Sequence, residues 1–427
     1  MHGITLIALV VTIVVLLILA GITISLVFSD NGIIKKAQEA ANKTKEAVIN
    51  EQTQMNEIAD YMENMLNEIG GTIPEEPEGC PAEEFEKWNG TSDDKVNAVQ
   101  STDATPITVP VPKGYIASKV TGETTVEDGF VIYEGEEEVN DTNKDTAQTT
   151  RNQFVWVPVE NPSEMYGRDE NCKKWGKLYK FSSTGITPYN WTEEDGVMSI
   201  TSATSYREPD VVTGNDGTKY DADNTNLQQA GLDASATADT FKAQLETEFN
   251  SMIASVEKYG GFYIGRYETG NLSQIEASIV KNNNDINKQT WYSMYNKSKE
   301  LAANSNVSTT IIWGCQWDAV LRWMYNSGNE NKKTYTYDGT GKGNYYNTNE
   351  KSLIATGSND SYAVNNIYDM AGNTYDRTME TAGTNNRTER GGCSSIDYDY
   401  YSSSFRGANA ATDDREFIGC RTSLYII

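Results

Sequence analysis

The sequence predicts an α+β fold, in which a long N-terminal helix precedes a domain of short strands, a few helices and long loops. Three observations predict it. Residues 4–28 are an uncharged apolar run, residues 238–259 carry apolar side chains at helical spacing, and short Val-, Ile- and Tyr-rich runs alternate with stretches rich in Gly, Asn and Asp. A chain of 427 residues can hold one large domain with additional segments.

The apolar run 4–28 is long enough to cross a bilayer, because as a helix it would extend roughly 37 Å. A leader of only three residues precedes it, without the basic region of a secretory signal peptide. This pattern resembles a type IV prepilin. The resemblance implies a leader 1–3 removed by a prepilin peptidase, and a membrane or pilin-like helix 4–69 that can pack against pilin subunits. Ala8 stands where prepilins usually carry a glutamate that aids assembly, so a plain membrane anchor stays the alternative.

Residues 70–104 predict a semi-extended, solvated spacer, because they are rich in Pro and Glu. The globular domain is then predicted to occupy 105–427. Its first strands are expected at 107–112 and 129–133, and an acidic loop, 134–152, separates them from a strand that begins at Phe154.

A helix is predicted over 238–259, and three further stretches are predicted to be surface loops because they are rich in Gly, Asn and Asp. The loops are 205–237, 326–350 and 381–389. The apolar side chains expected on the buried face of the helix are Phe241, Leu245, Phe249, Met252, Ile253 and Val256.

Composition excludes several classes of function. A formal net charge of −26 would repel a phosphate backbone, so nucleic acid is not an expected partner. The single histidine is His2, so the mature chain has no Ser-His-Asp or Cys-His catalysis and no His-ligated metal site. The five cysteines show no CxxC spacing. One or two disulfides are expected if the domain is exported, but their pairing cannot be derived from the sequence.

Several motifs follow one another along the chain. They are FVWVPV at 154–159, GGFYIGRYE at 260–268, WGCQWDAVLRW at 313–323, NIYDMAGN at 366–373, RGG at 390–392, FRG at 405–407 and IGCR at 418–421. Together they resemble the formylglycine-generating-enzyme-like (sulfatase-modifying-factor) branch of the C-type-lectin fold over about 105–427. The resemblance implies a C-type-lectin-like domain. Two tryptophans and a glutamate of the family wording are exchanged here, at Tyr375, Arg377 and Asp376.

The resemblance does not extend to the catalytic cysteines of formylglycine-generating enzymes, which bind copper between a closely spaced pair after the RGG segment. Cys393 follows Arg390–Gly392 directly, but the next cysteine is Cys420. Iron-binding branches of the family use histidines, which the mature chain lacks. We therefore expect no enzymatic activity and no required cofactor, with a formylglycine-generating-type oxidase as the alternative.

The same resemblance implies a candidate calcium site. Family members bind the ion through an Asn, a backbone carbonyl and the acid of one turn. Asn373, Thr374 and Asp376 supply oxygens at the matching positions, as a hard cation prefers. A structural turn held by Asn373 is the alternative.

Residues 394–417 combine Tyr with Ser, Asn and Asp, which is the composition of a paratope. Tyrosine rings also stack on sugar faces. The segment predicts a non-covalent binding face, with Tyr375 and Trp323 as neighbours, and an irregular polar loop is the alternative. The predicted ligand-binding residues are Ser395, Asp397, Tyr398, Asp399, Tyr400, Tyr401, Ser402, Ser404, Asn409, Thr412, Asp413, Asp414 and Arg415.

This segment also resembles the variable region of proteins that a diversity-generating retroelement rewrites at the adenines of Asn-type codons. Nearly all of 394–417 lies within the amino acids that such codons can give, and Glu416 does not. The resemblances imply an adhesin or receptor for a protein or carbohydrate ligand on a cell, a phage or a host. It would sit in the cell membrane with an extracellular domain, or in a surface pilus. A purely structural minor pilin is the second alternative.

Overall fold

The computed structural model describes residues 80, 86–194, 197–200, 206–214, 219–349, 351–397 and 401–427. These residues belong to one unit, which extends from Glu75 to Ile427. The predicted prepilin-like segment, 1–69, lies outside the described residues. Within the described part of the chain, no helix is both long enough and apolar enough to span a membrane.

The described residues form both helices and strands, with runs of several strands between the helices, in agreement with the predicted α+β class. The α-helices are α1 (Lys144–Thr150), α2 (Asn224–Gln229), α3 (Ala238–Tyr259), α4 (Trp291–Lys299), α5 (Gly314–Asn326), α6 (Glu330–Tyr337) and α7 (Tyr346–Asn349). Short 3-10 turns lie at Pro162–Glu164 and Asp360–Tyr362.

The strands are mostly short. In chain order they are β1 (Val96–Gln100), β2 (Thr108–Pro112), β3 (Tyr115–Ala117), β4 (Val131–Glu134), β5 (Gln153–Pro158), β6 (Tyr166–Arg168), β7 (Lys174–Gly176), β8 (Tyr179–Ser182), β9 (Gly185–Pro188), β10 (Trp191–Glu194), β11 (Val197–Ile200), β12 (Tyr206–Arg207), β13 (Gly261–Gly265), β14 (Val307–Ile311), β15 (Ala363–Val364), β16 (Ile367–Tyr368), β17 (Tyr375–Ala382), β18 (Asn386–Arg390), β19 (Arg406–Ala410), β20 (Ile418–Cys420) and β21 (Thr422–Ile426).

A six-stranded antiparallel sheet has the order β14-β21-β13-β5-β4-β3. Both of its faces are covered. Side chains of consecutive strand residues point to opposite faces. Accordingly, Val155 and Val157 of β5 join one hydrophobic cluster, whereas Phe154 and Trp156 join the other. Burial on both faces explains why the FVWVPV motif is a continuous apolar run rather than an alternating one.

Helix α3 packs against the first of these clusters and has the bounds that the sequence predicts. Thr237 and Thr240 form a capping box at its start, and Gly260 ends it in the left-handed conformation at φ 76°. The six side chains predicted to face inward are all buried. The helix prediction is confirmed.

The loop predictions were wrong where short helices or strands occur. Helix α1 lies in the predicted acidic loop, α2 and β12 lie in 205–237, α6 and α7 lie in 326–350, and most of β18 lies in 381–389. Asp223 caps α2 and Asn329 caps α6 by accepting backbone N–H bonds. Asp and Asn are enriched both in loops and at helix N-caps, so composition alone did not separate the two.

The spacer prediction was wrong for part of 70–104. Strand β1 lies in that range, pairs with β2 over five residue pairs and buries Val96 completely. A disulfide joins Cys80 to Cys172, with the two Cα atoms 5.4 Å apart. The Pro- and Glu-rich composition concealed a short strand whose stability comes from its partner.

A second sheet, in the order β12-β17-β18-β19, positions the candidate site. Strand β20 pairs in parallel with the beginning of β17, so the IGCR motif lies beside Tyr375 and Asp376. Strand β19 pairs with β18 along all five of its residues and is the last strand in this order. The part of 394–417 that forms β19, Arg406–Ala410, therefore belongs to a sheet.

Candidate functional site

The motif residues meet in a buried network beneath the candidate binding surface. The Asn373 amide donates to Glu268 at 2.5 Å, and its side-chain oxygen accepts from Asn344 and from the Ile354 backbone N–H. The Thr374 backbone N–H and hydroxyl both donate to the other Glu268 oxygen, at 3.0 and 2.5 Å. The GRYE and AGN motifs are therefore joined by side-chain hydrogen bonds.

Three carboxylates share this buried region with one guanidinium. Arg421 pairs with Asp376 at 3.2 Å and donates to the carbonyls of Gly265 and Tyr368. Burial, together with the Asp369 and Asp376 charges, raises the pKa of Glu268 well above its usual value. Burial also raises the pKa of Asp376 to about 6, against the opposing effect of Arg421.

A second buried charge network holds the RGG and FRG motifs. Arg390 pairs with Asp318 at 2.7 Å, and Arg406 bridges Asp318 at 2.8 Å and Glu380 at 2.7 Å. Glu208 accepts backbone N–H bonds at the start of α5, from Gly314 and Cys315. Burial and the Glu380 charge raise the pKa of Glu208 to about 8.

Glycines allow these motifs to approach one another closely. Gly372 has φ 81°, and a Cβ there would lie 2.5 Å from the Asn344 carbonyl oxygen. Gly391 also has φ 81°, and a Cβ there would lie 2.5 Å from the Met370 carbonyl oxygen. Glycine is thus required at Gly372 of the AGN motif and at Gly391 of the RGG motif, because the backbone has positive φ there and no space is left for a Cβ atom.

We call the surface formed by the described residues of 394–417 the C-terminal face. Within it, Ser394, Ser403 and Ala411 are fully buried. The Ser403 hydroxyl donates to the Tyr335 carbonyl, and the Ser403 carbonyl accepts from the Trp317 indole. The solvent-facing or half-buried residues are Ser395, Asp397, Tyr401, Ser402, Ser404, Asn409, Thr412, Asp413, Asp414 and Arg415. Tyr398, Asp399 and Tyr400 lie outside the described residues.

Half-buried aromatic rings form one part of this face. The Tyr401 and Phe405 rings pack edge to face with centroids 4.3 Å apart, and Tyr375 lies 5.9 Å from Phe405. The structure thus places Tyr375 beside the face, as the sequence predicts. Aromatic side chains offer large contact area with little loss of conformational entropy.

Polar groups form the other part. Asn409 on β19 donates to Glu389 at 2.7 Å. The turn after β19 carries an ion pair of 3.0 Å between Arg415 and Asp413, and Glu416 pairs with Lys288 at 3.5 Å. Exposed ion pairs such as these two add little to stability, so breaking either of them costs little free energy.

Sequence reasoning missed two neighbours of the face. The Tyr346 backbone N–H donates to the Ile396 carbonyl, and the Asn347 amide donates to Asp397 at 2.5 Å. The Tyr346 side chain is 46% exposed, which is unusual for a large ring. Both residues fall in a predicted loop, and only the exposure of a tyrosine there could have indicated a role.

Trp323 was predicted to border the same face and does not. It lines a cavity between α5 and the 158–165 segment, and the described residues of 394–417 contribute nothing to the lining of that cavity. Helix α5 contacts the C-terminal face through Trp317 instead. Trp317 and Trp323 are six positions apart on α5, so their side chains point in different directions from the helix. The sequence pattern did not show which of the two faces the C-terminal face.

The candidate calcium ligands already have protein partners. The Asn373 oxygen accepts two N–H bonds, the Thr374 hydroxyl donates to Glu268, and Asp376 faces Arg421. One carboxylate oxygen of Asp376 has no hydrogen-bond partner among the described residues, whereas the other faces the Arg421 guanidinium. A hard cation would have to compete with these contacts for the Asn373 and Asp376 oxygens, and calcium binding stays a prediction.

Cys393 is buried, and burial raises the pKa of its thiol above the usual value. Its sulfur lies 3.0 Å from the Ser395 hydroxyl. Arg390, a cation three positions before Cys393 in the sequence, is held by Asp318. A reactive thiolate needs a lowered pKa, whereas burial raises the pKa of Cys393 against the opposing effect of its hydrogen bond with Ser395.

No protein-family model matches the chain, and no curated protein matches it.

Proposed function

We propose that this protein is a surface-displayed receptor or adhesin whose C-terminal face binds a ligand without bond chemistry. One observation carries the proposal: within 394–417, some residues are buried against the core and others are exposed to solvent. Ser394, Ser403 and Ala411 are buried, whereas Thr412 and Asp414 are exposed. A surface built in this way can change its contact residues while the residues that hold it to the core stay the same.

We assign the described unit to the formylglycine-generating-enzyme type of C-type-lectin fold. The buried hydrogen bond between Glu268 and Asn373 and the ion pair between Arg421 and Asp376 support this assignment, because they join motifs that carry the resemblance. The buried ion pairs of Arg390 and Arg406 support it for two more. On this assignment, the motifs are framework and the segment between them is the binding surface.

We propose further that 1–69 is a prepilin-like anchor, handled by a prepilin peptidase, and that it holds the unit outside the cell in the membrane or in a pilus. The Cys80–Cys172 disulfide supports an extracellular position, since disulfides persist mainly in oxidising compartments. It also attaches the chain that follows the anchor directly to the folded unit.

The proposal assigns no catalysis to Cys393. Burial raises the pKa of its thiol, and the chain has no second cysteine at the spacing of the oxidase pair. Incubating the full chain with a cysteine-containing peptide and recording its mass tests this point. Conversion of the cysteine to formylglycine would favour the oxidase instead.

The decisive experiment is to sequence this locus and its neighbourhood in sibling isolates. We expect a nearby reverse transcriptase gene and a near-copy of codons 394–421 that differs at adenines. Substitutions should fall on solvent-facing positions such as Asp397, Thr412 and Asp414, and should spare Ser403 and Ala411.

Identical segments across siblings, or changes spread equally over buried and exposed positions, would contradict the diversified receptor. A structural minor pilin would then be the better account. It would be supported if deleting 105–427 left the adhesion of the cells unchanged.

A further inference from the structure

A cavity of about 270 Å³ lies on the outer side of α5, away from the described part of the C-terminal face. One side of the helix supplies Cys315, Ala319, Arg322, Trp323 and Asn326 to its lining. These residues are four, seven, eight and eleven positions from the first, which is the spacing of one helix face. The opposite wall is the segment 158–165, which follows β5.

The most deeply buried lining residues of the two sides, which we call the floor of the cavity, are apolar. Met165, Cys315, Ala319 and Val159 line it, and each is less than a tenth exposed. The half-buried Trp323 ring forms a side wall. A ligand with an apolar face would therefore displace water from this floor and gain free energy.

The opposite wall is held in place before any ligand arrives. The Tyr179 hydroxyl donates to the Glu164 carbonyl at 2.8 Å, and Lys177 donates to the Ser163 carbonyl at 2.7 Å. The Asn161 side chain accepts from the Ser163 hydroxyl at 2.7 Å. A preformed cavity loses little conformational entropy when it binds.

Charge disfavours an anionic ligand. Among the described lining residues Arg322 is the one cation, and it is paired with Glu164 and packed 4.6 Å from the Tyr179 ring centroid. Glu160 adds a further negative charge at the rim. The remaining polar lining residues are Asn161, Asn326 and Ser327. The Asn161 oxygen already accepts from Ser163, so its NH2 group can only donate to a ligand, whereas the Asn326 amide can donate and accept.

We propose that this cavity binds one neutral sugar ring, a hexose or an N-acetylhexosamine. A pyranose ring has an apolar face, which suits Trp323 and the floor, and a hydroxyl edge, which suits the amides of the rim. The volume is below the range of pockets that take drug-sized molecules, and fits a single ring. This site is separate from the C-terminal face and does not depend on the function proposed for that face.

Saturation-transfer NMR on the purified full chain tests the proposal, with D-glucose, D-galactose and N-acetyl-D-glucosamine as probes at millimolar concentration. We expect transfer to at least one of the three. Trp323→Ala removes the side wall, and Ala319→Leu fills the floor. Each should reduce the transfer at least fivefold.

Ile275→Ala is the control, because it removes an apolar side chain that is 91% exposed and does not line the cavity. It should leave the transfer unchanged. The melting temperature of each variant shows whether it is folded. Absence of transfer from all three sugars to the wild-type chain overturns the proposal. Equal transfer in folded Trp323→Ala, or an equal reduction in Ile275→Ala, also overturns it.

Discussion

The amide of Asn373 donates a 2.5 Å hydrogen bond to the carboxylate of Glu268, from a position 105 residues away in the chain. Both side chains are fully buried. This bond attaches the turn that precedes β17 to the end of the strand motif at β13. The candidate binding surface is thereby fixed to the central sheet through polar contacts rather than through apolar packing alone.

Replacing Asn373 by Asp should strongly destabilise the protein. A carboxylate there could not donate to Glu268 and would add a fourth acid to a buried group that contains one guanidinium. We expect the free energy of unfolding to fall by more than about 3 kcal/mol. Urea titration measures it. Asn331→Asp, at an exposed position, is the control and should change the value by less than about 0.5 kcal/mol. Equal effects of the two substitutions would show that the buried bond contributes nothing.

The stability of the protein should fall as pH rises from about 4.5 to about 8. Burial raises the pKa of Glu208 from 4.5 to about 8, so in this window the folded chain keeps a proton that the unfolded chain releases. Folding is therefore favoured at the acidic end. Asp376, with a pKa raised from 3.8 to about 6, contributes with the same sign at lower pH. Urea midpoints at pH 5.5 and pH 8 check this.

The variant Glu208→Gln separates this effect from general repulsion in an acidic chain. It cannot titrate, and it loses one of the two backbone hydrogen bonds that Glu208 accepts. We expect it to be less stable at both pH values but to show a smaller difference between them. A pH slope equal to that of the wild type would mean that Glu208 does not hold the proton.

The two arginines of the C-terminal segment should behave very differently. Arg406→Ala removes one of the two arginines that pair with the buried carboxylates of Asp318 and Glu380, so that Arg390 alone is left to balance both. We expect a loss of about 3–5 kcal/mol in unfolding free energy. Arg415→Ala removes an ion pair whose arginine is 66% exposed, and we expect a loss below about 1 kcal/mol. Denaturant titration compares them. Similar losses would remove the distinction between framework and surface positions.

Removing the disulfide should also be costly. Cys80 and Cys172 are 92 residues apart, and closing a loop of that length stabilises a folded protein by roughly 4–5 kcal/mol in the chain-entropy account. The double variant Cys80→Ser/Cys172→Ser should therefore melt at a lower temperature than the oxidised wild type. Reductant should lower the melting temperature of the wild type and leave the double variant unaffected. Cys393→Ser is the control and should keep the sensitivity to reductant.

Local patterns predicted the elements whose signal lies within their own residues. The bounds of α3 follow from helical spacing, Thr237 and Gly260, and the strand at β5 follows from its apolar run. The short helices were missed because a few residues between turn formers carry no periodic signal. Helix α1 buries one apolar side chain, Ala147. Strand β1 was missed because its stability comes from pairing with β2.

The candidate site was predicted only in part, because local composition identifies a segment but not the burial of its residues or their contacts with distant parts of the chain. Composition alone selected 394–417, but it did not distinguish Ser403, which is buried, from Ser402 and Ser404, which are half-buried. It could not include Tyr346 and Asn347, which reach the face by contacts across about fifty residues of chain. It placed Trp323 beside the face, whereas that residue lines a separate cavity.

The sequence by itself determined the class of the fold, the main helix and its buried face, and the position of the single histidine, His2. These follow from composition and from spacing within one element. Only the tertiary structure decided which motif residues meet, such as Glu268 with Asn373, and which cysteines pair. Such contacts join residues distant in the chain, so they depend on how the sheets and helices pack, and no local pattern encodes that packing.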